Sequence, residues 1–341
     1  LFADKTVANN KAVTISGLTL SGEDAGNYTV TDNSGATANI TAKAITSTGI
    51  TASNKVYNAN TVATLNTGTA VLTGGAVADD DNKYYTGDTV TLDTSGAAGL
   101  FADKTVANNK AVTISGLTLS GEDAGNYTVT DNSGATANIT AKAITSTGIT
   151  ASNKVYNANT VATLNTGTAV LTGGAVADDD NKYYTGDTVT LDTSGAAGLF
   201  ADKTVANNKA VTISGLALSG ADAGNYTVTD ASNATANITA KPITATGVTA
   251  VNKIYNANTV ATLNTGLAAI TAGATADDDK KYYDGDTVIL EKAGATGAFA
   301  DKTVANNKAV TISGLTLSGE DAGNYTVTDN SGATADITAK A

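Results

Sequence analysis

A period of 99 residues governs this chain. Phe2, Phe101, Phe200 and Phe299 each open the phrase Phe-Ala-Asp-Lys-Thr-Val-Ala-Asn-Asn-Lys-Ala-Val-Thr-Ile-Ser-Gly-Leu, and residues 1–99 repeat letter for letter as 100–198. The third copy drifts and holds the single proline, Pro242. A repeat this long exceeds a solenoid rung and matches a small domain, so the chain reads as tandem modules rather than one globule. Cutting where the strand ending Asn39-Ile40-Thr41 gives way to one opening Ile45-Thr46 yields residues 1–42 as the C-terminal part of a module, then whole modules at 43–141, 142–240 and 241–341. On this frame the chain starts mid-module, as an excerpt of a longer array does.

Within each module, apolar residues alternate. Val13 and Ile15 share a face opposite Thr14 and Ser16, and Leu18 and Leu20 resume after Gly17 with reversed parity, which predicts a bulge or sharp bend. Tyr28 and Val30, the turn Asp32-Asn33-Ser34-Gly35, and then Ala38 and Ile40 predict a hairpin. Roughly seven strands per module follow by this reading, in the range of a small β-sandwich. The fold class expected is all-β: immunoglobulin-like sandwich modules in an extended rod, each adding roughly 30 to 40 Å to its length. Large apolar side chains are sparse, so contacts between neighbouring modules must contribute to stability. The short connection between modules, with Pro242 at one of them, predicts stiff joints.

Composition removes several functions. The chain has no His, Cys, Met or Trp and no arginine. With neither a histidine base nor a thiolate, no Gly-x-Ser-x-Gly elbow and no phosphate-cradling loop, no enzyme is expected. A net charge of −12 repels polyanions and argues against nucleic acid as a partner. No apolar run is long enough to insert in a membrane. The absence of cysteine suits a long exported chain, and any export signal or anchor is expected outside this segment.

Two motifs invite site readings. Asp24-Ala25-Gly26-Asn27-Tyr28 recurs at Asp123 to Tyr127, Asp222 to Tyr226 and Asp321 to Tyr325. Asp-x-Gly-x-Tyr before an alternating strand is similar to the tyrosine corner of immunoglobulin-like sandwiches, which gives Tyr28, Tyr127, Tyr226 and Tyr325 a structural role. The acidic stretch Asp79-Asp80-Asp81-Asn82-Lys83-Tyr84-Tyr85-Thr86-Gly87-Asp88 recurs at Asp277 to Asp286. Its first reading is a solvated loop, which requires no cofactor. The second is a calcium site, with Asp79, Asp80, Asp81, Asp88, Asp277, Asp278, Asp279 and Asp286 as the oxygen donors, although the spacing is not that of an EF-hand. Asn27-Tyr28-Thr29 and Asn39-Ile40-Thr41 match the glycosylation acceptor pattern at the rate chance gives in so Asn- and Thr-rich a chain. Lys and Asn are also abundant enough for a spontaneous isopeptide bond, whose partners the sequence does not place.

One family resemblance accounts for the ordered set of phrases. Gly87-Asp88-Thr89-Val90-Thr91-Leu92, Gly99-Leu100-Phe101-Ala102-Asp103-Lys104, Val112-Thr113-Ile114-Ser115-Gly116-Leu117-Thr118-Leu119-Ser120-Gly121, Asp123-Ala124-Gly125-Asn126-Tyr127 and Ala137-Asn138-Ile139-Thr140 resemble the YDG-type repeats of very large bacterial surface proteins. The family's Lys-x-Tyr-Asp-Gly-Thr signature stands here as Lys55-Val56-Tyr57-Asn58-Ala59-Asn60, with Asn and Ala in place of Asp and Gly. The resemblance implies a β-grasp-like module as the alternative fold. It also implies an extracellular location on the bacterial cell surface, in adhesins and filamentous-haemagglutinin-like exoproteins. The function expected is a non-catalytic stalk that spaces an adhesive domain from the cell, with neighbouring modules of the same chain as partners. Modules that bind surface glycans or matrix, or that join other copies of the protein into a filament, are the rival readings.

Overall fold

The computed structural model describes residues 1–341. The fold is all-β, and its helical elements are four three-residue 3-10 turns such as Ala124–Asn126. Val, Ile, Thr and Tyr fill the strands, while glycines, asparagines, three alanines and Lys280 take the positive-φ turn positions that branched residues avoid. No helix is long and apolar enough to cross a membrane.

Residues 1–42 contribute β1 (Ala8–Ala12) and β2 (Thr37–Ile40), an antiparallel pair. Twelve strands follow, not the seven read from alternation: β3 (Lys43–Thr48), β4 (Thr51–Ala52), β5 (Lys55–Val56), β6 (Val62–Ala63), β7 (Leu65–Asn66), β8 (Val71–Leu72), β9 (Thr91–Asp93), β10 (Ala98–Phe101), β11 (Ala107–Ser115), β12 (Thr118–Ser120), β13 (Tyr127–Asp131) and β14 (Thr136–Thr140). The excess is five two-residue strands, β4 to β8, too short to show an alternating period. A five-stranded sheet runs β5-β14-β11-β10-β6, a three-stranded sheet runs β13-β3-β8, and β9 with β12 and β4 with β7 form ladders of two. Both larger sheets are mixed, because β13 runs parallel to β3 and β14 parallel to β5.

The expected hairpin is not formed. β13 pairs with β3 and β14 with β11 and β5, so the chain changes sheet between them. The Asp-Asn-Ser-Gly turn is tied down elsewhere: Asn132 N–H donates to Ser47 O (2.8 Å) and Ile50 N–H to Ser133 Oγ (2.9 Å). The bend predicted at the parity change is present. Gly116 has φ +74°, and a Cβ there would stand 2.1 Å from the Gly96 carbonyl oxygen. The register shift, however, lies earlier in β11, between Ala107 and Lys110. There Asn109 takes φ +52° and its N–H is satisfied by the Asn138 side chain (2.8 Å).

By contacts the chain divides into two compact units: Leu1–Ala143 with Gly173–Thr188 and Ala221–Thr227, and Ile144–Thr172 with Val189–Gly220 and Val228–Ala341. The first unit holds β1 to β14 and the edge of the following repeat. The second holds two five-stranded sheets of the same order, built on Ala206–Ser214 and Ala305–Ser313. One core in the second unit joins Tyr156, Phe200, Val211, Ala236 and Ile238 of one repeat to Ile243, Val288 and Tyr325 of the next. A separate, smaller core of Ala261, Phe299, Val310, Ala335 and Ile337 lies under the last five-stranded sheet. The sparse apolar residues of one repeat are therefore buried partly against its neighbour.

Candidate functional site: the joint between repeats

In the first unit, Tyr57 and Lys104 leave one repeat and meet Asp187, Tyr184, Asn225 and Tyr226 of the next. Tyr57 follows directly on β5, where its N–H donates to Thr140 O (2.8 Å), and its side chain is fully buried. Its hydroxyl donates to Asp187 Oδ2 at 2.8 Å, and the Tyr226 hydroxyl donates to the same oxygen at 2.6 Å. Lys104 Nζ takes Asp187 Oδ1 at 2.7 Å and lies 5.7 Å from the Tyr57 ring centroid. The Tyr57 ring packs edge-on against Tyr226 at 5.3 Å and Tyr184 at 6.1 Å. The Tyr226 hydroxyl also accepts from Tyr184 N–H (3.0 Å), and Asn225 Oδ1 accepts from Val106 N–H (3.0 Å).

The second unit repeats the arrangement 99 positions on. Tyr156 and Tyr325 donate to Asp286 Oδ2 at 2.8 and 2.6 Å, Lys203 takes Oδ1 at 2.7 Å, and Asn324 accepts from Val205 N–H at 3.0 Å. Burial pushes the Asp286 carboxyl up, but Lys203, Tyr325 and Tyr156 outweigh it and hold the group below the ordinary carboxylate range. Asp187 is held down in the same way. Burial and the carboxylate together push Tyr156 up to about 12. The result is an ionised carboxylate, 2 to 3% exposed, with a lysine and two phenols as donors. Both carboxylate oxygens are engaged by groups from the two repeats, an arrangement suited to holding those repeats together.

The residues singled out in the sequence are divided among several tasks. Tyr127, Tyr226 and Tyr325 are buried, and each accepts from a backbone N–H 42 residues upstream, much farther along the chain than the few residues a tyrosine corner spans. Each also donates to an aspartate, Asp88, Asp187 or Asp286, which the comparison did not include. Tyr28 stands 71% exposed. Asp88 and Asp286 belong to joints. Asp81 accepts from Val77, Ala78 and Lys83 N–H and pairs with Lys43 (3.0 Å), and Asp279 makes the same set with Thr275, Ala276, Lys281 and Lys241 (2.9 Å). Asp79 and Asp277 accept from the Tyr85 and Tyr283 hydroxyls at 2.7 and 3.3 Å, and Asp80 and Asp278 face solvent. No three acidic side chains come together in a way that would hold a metal ion.

Sequence reasoning missed Tyr57, Lys104 and the buried lysines. Lys142 and Lys241 have fully buried side chains that tie the acidic loop to the start of each repeat. Lys142 donates to Ala177 O at 2.6 Å and pairs with Asp180 at 3.0 Å. Lys55 also differs from a surface lysine. Its ammonium is ringed by Asn58 Oδ1 (2.8 Å), Asn60 O (2.8 Å) and Val62 O (2.9 Å), and it lies over the Phe101 ring. The available signal was the recurrence of Lys-x-Tyr, Asp-Lys and Gly-Asp in every repeat. Their meeting across 83 to 130 positions is not encoded in spacing.

Comparison with known proteins gives one match. The family model of the YDG domain matches residues 1–36, 41–135, 140–235 and 239–333. No curated protein and no solved structure matches the chain.

Proposed function

Since the chain belongs to the YDG domain family and carries four tandem matches to it, we propose that it is a non-catalytic spacer, a stalk segment of a secreted bacterial cell-surface adhesin. The observation that carries this reading is the joint. The same buried Tyr–Asp–Lys–Tyr cluster recurs in both units, 99 residues apart, and a core continues across it. Such a joint resists bending, so reach grows with repeat number and serves an adhesive domain carried further along the chain. The acidic surface keeps neighbouring arrays apart and soluble. On this reading each repeat is a sandwich of the immunoglobulin-like kind rather than β-grasp. The lack of an α-helix for a sheet to grip supports it, while the parallel pairs depart from the immunoglobulin pattern.

Small-angle scattering of the chain alongside Tyr57→Ala and Tyr156→Ala tests the spacer. A stiff array gives a rod-like profile for the parent and a shorter, broader distance distribution for the variants. Identical profiles, or a compact parent, would sink the reading.

A further inference from the structure

The first and last segments of a whole repeat run side by side in the same direction. β13 pairs parallel with β3 from Tyr127 beside Lys43 to Asp131 beside Ser47, and β14 pairs parallel with β5 at Ile139 beside Lys55 and Thr140 beside Val56. Single bonds hold the register between and beyond these ladders. Asn132 N–H donates to Ser47 O (2.8 Å), Ile50 N–H to Ser133 Oγ (2.9 Å), Asn138 N–H to Asn54 Oδ1 (2.7 Å, 84 positions apart) and Tyr57 N–H to Thr140 O (2.8 Å). Residues 43–57 and 127–140 therefore keep one parallel register along their whole length, although both change sheet on the way. Ile45, Ile50 and Ile139 are buried along it, which keeps water from these bonds.

The last repeat, within the second unit, is built alike. Lys241 to Ala245 pair parallel with Tyr325 to Asp329, and Lys253 and Ile254 with Ile337 and Thr338. Asn330 N–H donates to Ala245 O (2.8 Å), Val248 N–H to Ser331 Oγ (2.9 Å), Asp336 N–H to Asn252 Oδ1 (2.7 Å) and Tyr255 N–H to Thr338 O (2.8 Å). Pro242 removes no bond from this ladder. Thr244 N–H turns away from it to Lys280 O (3.1 Å), and residue 242, two positions earlier, faces the same way.

This topology fixes how a repeat meets a pull along the chain. Tension draws Lys43 toward the preceding repeat and Thr140 toward the following one. Because the two segments are parallel neighbours, those opposed pulls act along the shared ladder, and its evenly spaced bonds are strained together. Antiparallel first and last strands would put both pulls at one end, where pairs part in turn. We propose that each repeat is a tension-bearing clamp, closed between its own first and last segments, so that the chain transmits a pulling force without unfolding. The proposal concerns pulling and not bending, so it holds or fails independently of the scattering result for the spacer.

Single-molecule pulling on the 341-residue protein tests it. The chain has no cysteine, so one introduced thiol sets where the force leaves. With the other handle at the N-terminus, Thr140→Cys loads the two segments in shear, whereas Thr128→Cys, at the opposite end of the last segment, peels them apart. Both threonines are exposed. The event to compare is the one that releases the stretch from residue 43 to the thiol, roughly 300 Å of extended chain. At equal loading rate it should need roughly twice the force or more in Thr140→Cys, because bonds that share a shear load meet a peeling load one after another. Equal forces, or a weaker Thr140→Cys protein, overturn the proposal. Should either thiol lower the urea midpoint, the exposed pair Thr326→Cys and Thr338→Cys puts the same comparison to the last repeat, with the same outcomes deciding.

Discussion

Ala59, Ala158 and Ala257 occupy the left-handed region at φ +59°, +60° and +65°. They stand where the family signature carries glycine, next to an Asn where it carries Asp. The turn brings Asn58 Oδ1 and the Asn60 carbonyl onto the Lys55 ammonium, so the signature here is a lysine-binding turn that aims Tyr57 at the joint. An alanine in this conformation costs about 1–2 kcal/mol, against about 0.5–1 kcal/mol for the added freedom of an unfolded glycine. Ala59→Gly should therefore stabilise the protein by up to about 1.5 kcal/mol, read as a higher urea midpoint. A lower midpoint would mean that the methyl group makes packing contacts that outweigh the strain. The same residues show how far local chemistry could be read in advance. A glycine at the parity change announced its bend because only local sterics decide it, whereas Asn109 gave no sign that it, and not Gly116, would hold the register shift.

Among the elements, the acidic loop and the joint respond to different conditions. In the loop, Asp81, Asp180 and Asp279 each accept from three backbone N–H groups and a lysine. Burial raises these carboxyls, but those bonds outweigh it and hold all three well below the usual range. The loop is thus closed by protein cations, so melting curves with calcium and with chelator should coincide; a shift of several degrees would restore calcium as a ligand. In the joint, Asp187 and Asp286 are also depressed, so their contribution is complete above the unfolded carboxylate value of about 3.9 and is lost as pH falls through the lower folded value. Denaturation midpoints should stay flat from pH 7 to pH 5 and fall below about pH 4. Asp286→Asn should show a shallower acid slope than the parent, and an equal slope would remove the joint from the acid response.

For the chain as a whole, stability is shared between neighbours. The core that joins Phe200 and Ile238 to Ile243 and Tyr325 leaves the repeat at 142–240 incomplete without part of the repeat at 241–341. Solenoid energetics offer the nearest comparison, with intrinsic and interface terms adding along the chain. A chain ending at residue 240 should unfold its last repeat at lower denaturant than the full chain does, measured by hydrogen exchange at Ala206–Ser214. Equal protection would make the repeats energetically independent.

The sequence by itself determined the period, the all-β class and the recurring phrases, because each follows from residue type and short-range spacing. What the tertiary structure alone decided is which phrases meet. Tyr57 reaches Asp187 across 130 residues, β13 and β14 part into different sheets, and Lys142 sinks beside Asp180. Such pairings depend on which apolar faces pack together once the chain is folded, and no local periodicity carries that information.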